Sequence, residues 1–261
     1  MGILNCTPDS FHAGSRLPSL REALQAAEGM IRAGADILDV GGESTRPGAD
    51  PVPAEEEIRR VVPVIRAIRA TADTVISVDT RNRATAERAL DAGADIVNDV
   101  SALSHDPGMA PLVAARGVPV VLMHMRGTPK TMQGEAVYGD AVAEVLRELG
   151  ASVAVAVAAG VSPGRIIVDP GIGFAKRTPD NLRLVRDLAA FRSLGMPILV
   201  GLSRKRFIGD VTGMPAEGRL AGTIAANTLA VLHGADIVRV HDVAEAVAMV
   251  RVIDAVLRTA T

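Results

Sequence analysis

Ala33-Gly-Ala-Asp-Ile-Leu-Asp-Val40 is repeated, with small changes, as Ala92-Gly-Ala-Asp-Ile-Val-Asn-Asp-Val100 and as His233-Gly-Ala-Asp-Ile-Val-Arg-Val-His-Asp242. In each copy a glycine follows a stretch of helical period and precedes a short run rich in Ile and Val. Glycine at this place is typical of the left-handed residue that ends a helix, and the following run is typical of a buried strand. The three copies therefore predict helix-to-strand junctions in a fold made of repeated strand–helix units.

The same pattern, followed along the whole chain, predicts eight strands. They cover residues 2–5, 36–41, 75–79, 96–99, 119–125, 166–169, 198–202 and 237–240. Amphipathic stretches of helical period lie between them, among them 20–32, 54–70, 137–159, 180–194 and 219–232. Eight alternating units favour a closed parallel (β/α)8 TIM barrel, an α/β fold, as one domain over residues 1–261. An open doubly wound sheet is the structural alternative, but no Gly-x-Gly-x-x-Gly follows an early strand.

Composition and charge narrow the function classes. The formal net charge is −2 and no long run of Lys or Arg is present, so we expect no nucleic-acid partner. No window holds the roughly 20 apolar residues of a membrane-spanning helix, so we expect no membrane partner. The single cysteine, Cys6, excludes an internal disulfide, and the sequence shows no secretory leader, which favours the cytoplasm. Small-molecule chemistry is the class that remains.

Polar residues follow nearly every predicted strand, at the end where a barrel carries its active site. The residues in question are Asn5, Glu43, Asp79, Asn98, His124, Asp169, Lys205 and Arg239. Each has a simpler interpretation: Asp79 or Asp169 could cap the next helix, and Asn98 could be a turn residue. Met123 and His124 could be ordinary core residues. These simpler interpretations would have to hold at every strand end at once.

Two kinds of side chain would meet in that half-buried space. Carboxylates are costly to desolvate without a partner. Asp79, Asn98 and Asp169 would suit a flat heterocycle that presents a row of N–H donors. Fork-shaped Arg donors and other cations suit a pyrophosphate. The cationic candidates are Arg46, Lys205, Arg239 and His241. We therefore expect a cleft that is acidic at its floor and basic at its rim.

Seven motifs, in order along the chain, together resemble the dihydropteroate synthases. They are Met1-Gly-Ile-Leu-Asn-Cys-Thr-Pro-Asp-Ser-Phe11, Gly41-Gly-Glu-Ser-Thr-Arg-Pro-Gly48, Ser77-Val-Asp-Thr80, Asn98-Asp-Val-Ser101, Asp169-Pro-Gly-Ile-Gly-Phe-Ala-Lys176, Ser203-Arg-Lys-Arg-Phe-Ile-Gly209 and Arg239-Val-His-Asp242. The resemblance implies that 6-hydroxymethyl-dihydropterin pyrophosphate condenses with para-aminobenzoate to give dihydropteroate and pyrophosphate. The chain departs from the family pattern at two places. Cys6 stands where the family usually has Val, and His12-Ala-Gly-Ser15 stands where it usually has Ser-Asp-Gly-Gly.

The resemblance also implies a role for each matching residue. Asp79, Asp169 and Lys205 are the expected catalytic residues. The residues implied for the pterin pyrophosphate are Thr45, Asp79, Asn98, Met123, Asp169, Lys205, Arg239 and His241. Asn5 is the implied ligand of Mg²⁺, the expected cofactor, and the family suggests a homodimer.

The second substrate and its lid make up the other implied set. The residues implied for para-aminobenzoate are Arg46, Pro47, Phe174 and Lys205. The lid would comprise Thr7, Pro8, Asp9, Ser10 and Phe11 together with residues 46–48. Two rival functions remain open at this point: a pterin-binding methyltransferase, and a paralogue that binds pterin without catalysis.

Overall fold

The computed structural model describes residues 1–7, 20–44 and 48–258. Within them, parallel strands alternate with helices along the chain. The strands are β1 (Gly2–Asn5), β2 (Ile37–Gly41), β3 (Val75–Asp79), β4 (Ile96–Asp99), β5 (Val120–Met123), β6 (Ile166–Asp169), β7 (Leu199–Val200) and β8 (Ile237–Val238). All eight predicted strands are thus present, although β5, β7 and β8 are shorter than the apolar runs that predicted them.

The strands close on themselves. Strands β1 to β6 form one parallel sheet in chain order, and β7 pairs with β8. A parallel bridge between Val168 and Ile198 joins β6 to the β7 segment, and a second between Gly2 and Val240 joins β1 to the β8 segment. Closure in chain order confirms the (β/α)8 barrel and excludes the open doubly wound sheet, in which the strand order reverses.

Helices surround the barrel. They are α1 (Leu20–Arg32), α2 (Ala54–Thr71), α3 (Arg83–Asp91), α4 (Met109–Arg116), α5 (Ala141–Ala158), α6 (Thr178–Arg186), α7 (Arg206–Thr212), α8 (Leu220–Leu232) and α9 (Val243–Arg258). The predicted helix 137–159 begins only at Ala141, because the Asp140 carboxylate accepts hydrogen bonds from the backbone N–H groups of Val142 and Ala143. The predicted helix 180–194 divides into α6 and a 3₁₀ helix, Leu188–Leu194.

The three repeated stretches have the predicted geometry. Gly34, Gly93 and Gly234 have φ angles of 96°, 108° and 108°, which L side chains rarely adopt. A side chain at Gly93 would also meet Arg69, whose Cγ lies 2.9 Å from the position of an added Cβ. Each glycine therefore reverses the chain from a helix into the strand that follows.

Side chains alternate along each strand between the helical layer and the barrel interior. Outward residues such as Leu38, Ile76 and Val97 pack into the main core under the helices. Inward residues near the start of the strands form a separate apolar cluster. We call it the apolar layer; it contains Ile37, Ile96, Val121, Ile167, Leu199 and Ile237. In the described part of the chain, no helix is long and apolar enough to cross a membrane.

Candidate active site

A second set of inward side chains lies two residues beyond the apolar layer, because residues i and i+2 of a strand share a face. We call this set, with the neighbouring Asp79 and Lys205, the polar mouth; it contains Asp39, Asp79, Asn98, Asp169, Lys205 and Arg239. Asp39 is fully buried, and Asp79, Asn98 and Asp169 are each less than 9% exposed. In β2, β4, β6 and the β8 segment the inward residue changes from Ile to Asp, Asn, Asp and Arg, respectively, over two positions.

Arg239 connects the acidic side of the polar mouth. Its Nε donates to Asp39 Oδ2 at 2.6 Å, and its Nη2 donates to Asp79 Oδ2 at 2.7 Å. The amide of Asn98 donates to the same Asp39 oxygen at 3.1 Å. Side chains from β2, β3, β4 and the β8 segment therefore form one hydrogen-bonded group.

Strand register brings Asn5 into the same row. Asn5 pairs with Gly41, Gly41 with Asp79, and Asp79 with Asn98. Gly41 has no side chain to separate its neighbours, and an added Cβ there would lie 3.4 Å from Cβ of Asp79. No side chain of β2 therefore separates Asn5 from Asp79 at the end of the strands.

Asp169 and Lys205 form the opposite side of the polar mouth. The backbone N–H of Gly171 donates to Asp169 Oδ1 at 2.7 Å. Lys205 donates to the carbonyl of Ile172, and its Nζ lies 4.6 Å from the ring centroid of Phe174. The loop after β6 thus carries a carboxylate and an aromatic face, both beside one ammonium group.

The polar mouth shifts the pKa values of its own groups. Burial raises the pKa of Asp79, and the Arg239 guanidinium acts in the opposite direction. Burial also raises the pKa of Asp169, against the charge of Lys205 and the Gly171 N–H. Burial lowers the pKa of Lys205 to about 8, against the charge of Asp169. Such shifts accompany charges held in a dry cleft and are common at functional sites.

Of the sequence-predicted residues that the structure describes, most lie together. Asp79, Asn98, Asp169, Lys205 and Arg239 form the polar mouth, Met123 is buried on β5, and Phe174 contacts Lys205. His241 is exposed, and its Nδ1 lies 3.0 Å from Ser203 Oγ. Asn5 ends β1, and Thr7 is buried just beyond it. The other predicted residues, Pro8, Asp9, Ser10, Phe11, Thr45, Arg46 and Pro47, lie outside the described residues.

The positions of Arg239 and Lys205 differ from the prediction, which placed acidic groups at the floor of the cleft and basic groups at its rim. Both reach down among the carboxylates instead of standing above them. The physical reason is that buried carboxylates need a countercharge close by. Acidic and basic groups are therefore mixed at one depth of the polar mouth.

Asp39 is the residue that the sequence interpretation missed. Its Oδ2 accepts from both Asn98 and Arg239, and its Oδ1 is buried without a hydrogen-bond partner among the described residues. The signal was present in the period of two, since Ile37 and Asp39 occupy the same inward positions as Ile96 and Asn98. It was overlooked because Asp39 stands inside an apolar run and not at its end.

Known proteins resemble the chain over almost its whole length. A match to the family described as pterin binding enzyme covers residues 1–241. The chain belongs to this family. The dihydropteroate synthase of Bacillus subtilis is 49% identical over 257 residues, which are 98% of this chain and 88% of the relative. That of Synechocystis is 46% identical over 259 residues, which are 99% of this chain and 90% of the relative.

Solved structures of the same family have the same fold. The Xanthomonas albilineans dihydropteroate synthase with 4-aminobenzoic acid superposes with a TM-score of 0.93 at 46% identity, covering 98% of this chain and 92% of that one. The same enzyme in complex with 7,8-dihydropteroate gives a TM-score of 0.89 at 44% identity, with the same coverage. Within the pterin binding enzymes, the chain is thus a transferase of the dihydropteroate synthase group, and its substrates are small molecules.

Proposed function

We propose that the polar mouth binds the pterin pyrophosphate beside para-aminobenzoate and joins them as dihydropteroate, with release of pyrophosphate. The observation that supports this most is the group formed by buried Asp79, Asn98 and Asp169 with two partly buried cations, Lys205 and Arg239. A pterin edge carries adjacent N–H donors, which carboxylate and amide oxygens accept. Met123 would pack against the ring, as would Thr45 from outside the described residues.

The pyrophosphate would lie toward the open end, against Arg239 and His241. Arg239 uses Nε and Nη2 for Asp39 and Asp79, and Nη1 makes no hydrogen bond among the described residues. Nη1 can therefore donate a hydrogen bond to a phosphate oxygen. Cations held in place before the reaction stabilise the charge that develops on a departing pyrophosphate.

Magnesium is the proposed cofactor, with Asn5 as its ligand. No group of three His, Cys, Asp or Glu side chains in the described ranges could hold a metal ion. The Asn5 amide nevertheless fits Mg²⁺, which prefers oxygen ligands and keeps waters and substrate phosphates in most of its coordination sphere. A bound ion would add positive charge beside the pyrophosphate.

The carbon–oxygen bond would break largely ahead of attack and pyrophosphate would leave with the electron pair. The amine nitrogen would then bond to the methylene carbon and lose one proton to water or to the released pyrophosphate. The conjugated ring spreads the positive charge left on that carbon, and Asp79 and Asp169 would stabilise it. Lys205 stands between the two substrates, since its ammonium lies beside Asp169 and over Phe174, the proposed para-aminobenzoate contact. An aromatic amine is neutral at pH 7 and needs position more than a base. The proposed lid, Thr7 to Phe11 and residues 46–48, would exclude water.

We also propose a homodimer in the cytoplasm. Exposed apolar side chains lie on the neighbouring helices α8 and α9, among them Leu229, Leu232 and Val252. Such a surface is typical of a subunit interface. The lone buried Cys6 supports a reducing compartment. Sedimentation of wild type and of the double variant Leu232→Glu, Val252→Glu tests the dimer, which the variant should dissociate.

A steady-state assay with pterin pyrophosphate, para-aminobenzoate and Mg²⁺ tests the proposed reaction. We expect dihydropteroate and pyrophosphate in equal amounts. Methyl transfer from a folate without this product would instead indicate the methyltransferase. Binding of pterin without product would indicate the non-catalytic paralogue.

A further inference from the structure

Lys176 is a buried cation that the reaction outlined above does not use. Its side chain lies behind the polar mouth, and the residue is 3% exposed. Nζ donates to the Phe174 carbonyl at 2.9 Å, lies 2.9 Å from Nδ1 of His124 and 3.4 Å from the His124 carbonyl. In the described part of the chain no carboxylate lies within ion-pair distance of it. Its contacts thus join two loops, one after β5 and one after β6.

The backbone is bent to make these contacts. Ala175 is fully buried with a φ of 47°, a left-handed conformation that costs an L residue free energy. Ala175 stands between Phe174, which faces Lys205, and Lys176, which faces His124. Nearby, an added Cβ at Gly171 would meet the His124 carbonyl oxygen at 1.9 Å, so the two loops touch directly.

The same contacts lead to Asp169. The Gly171 N–H donates to Asp169 Oδ1 at 2.7 Å, and an added Cβ on Gly171 would lie 3.4 Å from Lys176 Nζ. Lys176 therefore adjoins both the residue that holds the Asp169 carboxylate and the carbonyl of Phe174. Asp169 is proposed to contact the pterin, and Phe174 is proposed to contact para-aminobenzoate.

We infer that Lys176 is a positioning residue, whose ammonium fastens the loop after β6 to the end of β5 and so fixes Asp169 and Phe174 for the two substrates. This inference rests on the proposed function of the polar mouth. Lys176 touches neither substrate in this scheme and acts through the loop.

His124 and its neighbours keep the ammonium in place. His124 Nε2 lies 2.8 Å from Glu148 Oε2, and Arg126 donates to both Glu148 oxygens. Burial and the Lys176 charge lower the pKa of His124 to about 4, so its ring is neutral and Nδ1 accepts from Lys176. The tautomer follows from this: the ring proton is on Nε2, which donates a hydrogen bond to the Glu148 carboxylate.

The charge of Lys176 changes within the physiological range. Burial lowers its pKa to about 7; Asp169 and Glu148 raise it, whereas Lys205 and Arg126 lower it. Below that pH the ammonium favours an ionised Asp169, and above it Lys176 is a neutral amine that still donates hydrogen bonds. Affinity for the pterin ring should therefore weaken as the pH rises through about 7.

The experiment compares Lys176→Met and Lys176→Gln with wild type and with Arg186→Met, a matched control that removes an exposed cation from α6. We expect Lys176→Met to lower kcat/KM for the pterin pyrophosphate at least tenfold and to raise KM for para-aminobenzoate. Lys176→Gln keeps a hydrogen-bond donor without the charge, so its kcat/KM and KM values should lie between those of wild type and Lys176→Met. Both should lose the change near pH 7 in affinity for dihydropteroate, measured by calorimetry.

The outcomes separate this inference from the proposed function. An inactive wild type would overturn the function, whatever the variants do. An active wild type with a folded Lys176→Met of the same KM values and pH profile would overturn the positioning role. Should Lys176→Met fail to fold, the pH profile and both KM values of Lys176→Gln decide by the same criteria.

Discussion

The interior of the barrel has two layers of opposite chemistry, although the same strands supply both. The apolar layer holds Ile, Val and Leu side chains, and in β2, β4, β6 and the β8 segment the polar mouth begins two residues further along. Two residues of a strand span about 7 Å. Over that distance the interior changes from a packing surface to a cluster of paired charges. Stability and chemistry are therefore separable by substitution, one layer at a time.

The largest effect is expected at the polar mouth. Asp169→Ala should lower kcat/KM by about 10²- to 10³-fold, because it removes the carboxylate that we propose to stabilise the charged ring. Circular dichroism should show an intact barrel, since the apolar layer is untouched. Asp79→Ala should behave alike. Turnover within a few-fold of wild type in either variant would reject the proposed roles.

In the apolar layer we expect the opposite result, a loss of stability without a change in substrate affinity. Leu199→Ala removes a fully buried side chain and should lower the free energy of unfolding by about 2–5 kcal/mol. The KM values should stay near those of wild type at temperatures where the variant is folded. Leu199→Met, the control, should cost less than about 1.5 kcal/mol. Equal losses in both variants would mean that packing is not the cause.

A smaller effect is expected from pH at Lys205. Its pKa is lowered to about 8, so the ammonium is present below that pH and is lost above it. Binding of the anionic pterin pyrophosphate should therefore weaken by about tenfold between pH 7 and pH 9. Titration calorimetry measures this, with Lys205→Met as the control. In that variant the loss of affinity centred near pH 8 should be absent, whereas the loss near pH 7 that we assign to Lys176 should remain. A loss near pH 8 that persists in Lys205→Met would belong to another group.

The smallest effect is expected at Cys6, which belongs to neither layer. Burial raises the pKa of its thiol to about 12, so no thiolate is available at neutral pH. Cys6→Val should change kcat/KM by less than about twofold and stability by less than about 1.5 kcal/mol. A large loss of activity would reveal a role for the thiol that the structure does not indicate.

The sequence predicted the architecture well because its signals are local. The glycines at 34, 93 and 234 and the apolar runs after them need no tertiary information to indicate helix-to-strand junctions. The limits of β7 and β8 could not be predicted in this way. Their apolar runs continue past the last ladder pair, where hydrogen bonding depends on the neighbouring strands and not on side-chain type.

The sequence predicted the members of the polar mouth except Asp39, but it did not predict their pairing. Asp79, Asn98 and Asp169 stand at strand ends, where the rule for barrels finds them. The contact of Arg239 with Asp39 joins residues 200 positions apart, and no local pattern encodes it. Lys176 lies in the motif Asp169 to Lys176, but no role for it follows from the sequence, because only the fold shows that it meets His124.

The way the barrel closes has one more consequence. The two-stranded panel of β7 and β8 is joined to the rest of the wall by a single bridge on each flank. Lys205 follows β7 and Arg239 follows β8, whereas the acids that they face, Asp39, Asp79 and Asp169, lie on β2, β3 and β6. The ionic contacts of the site thus also lie across the two seams of the cylinder. A ligand that draws Lys205 and Arg239 away from these acids should weaken the contacts across the seams. Amide hydrogen exchange at the seams should then become faster.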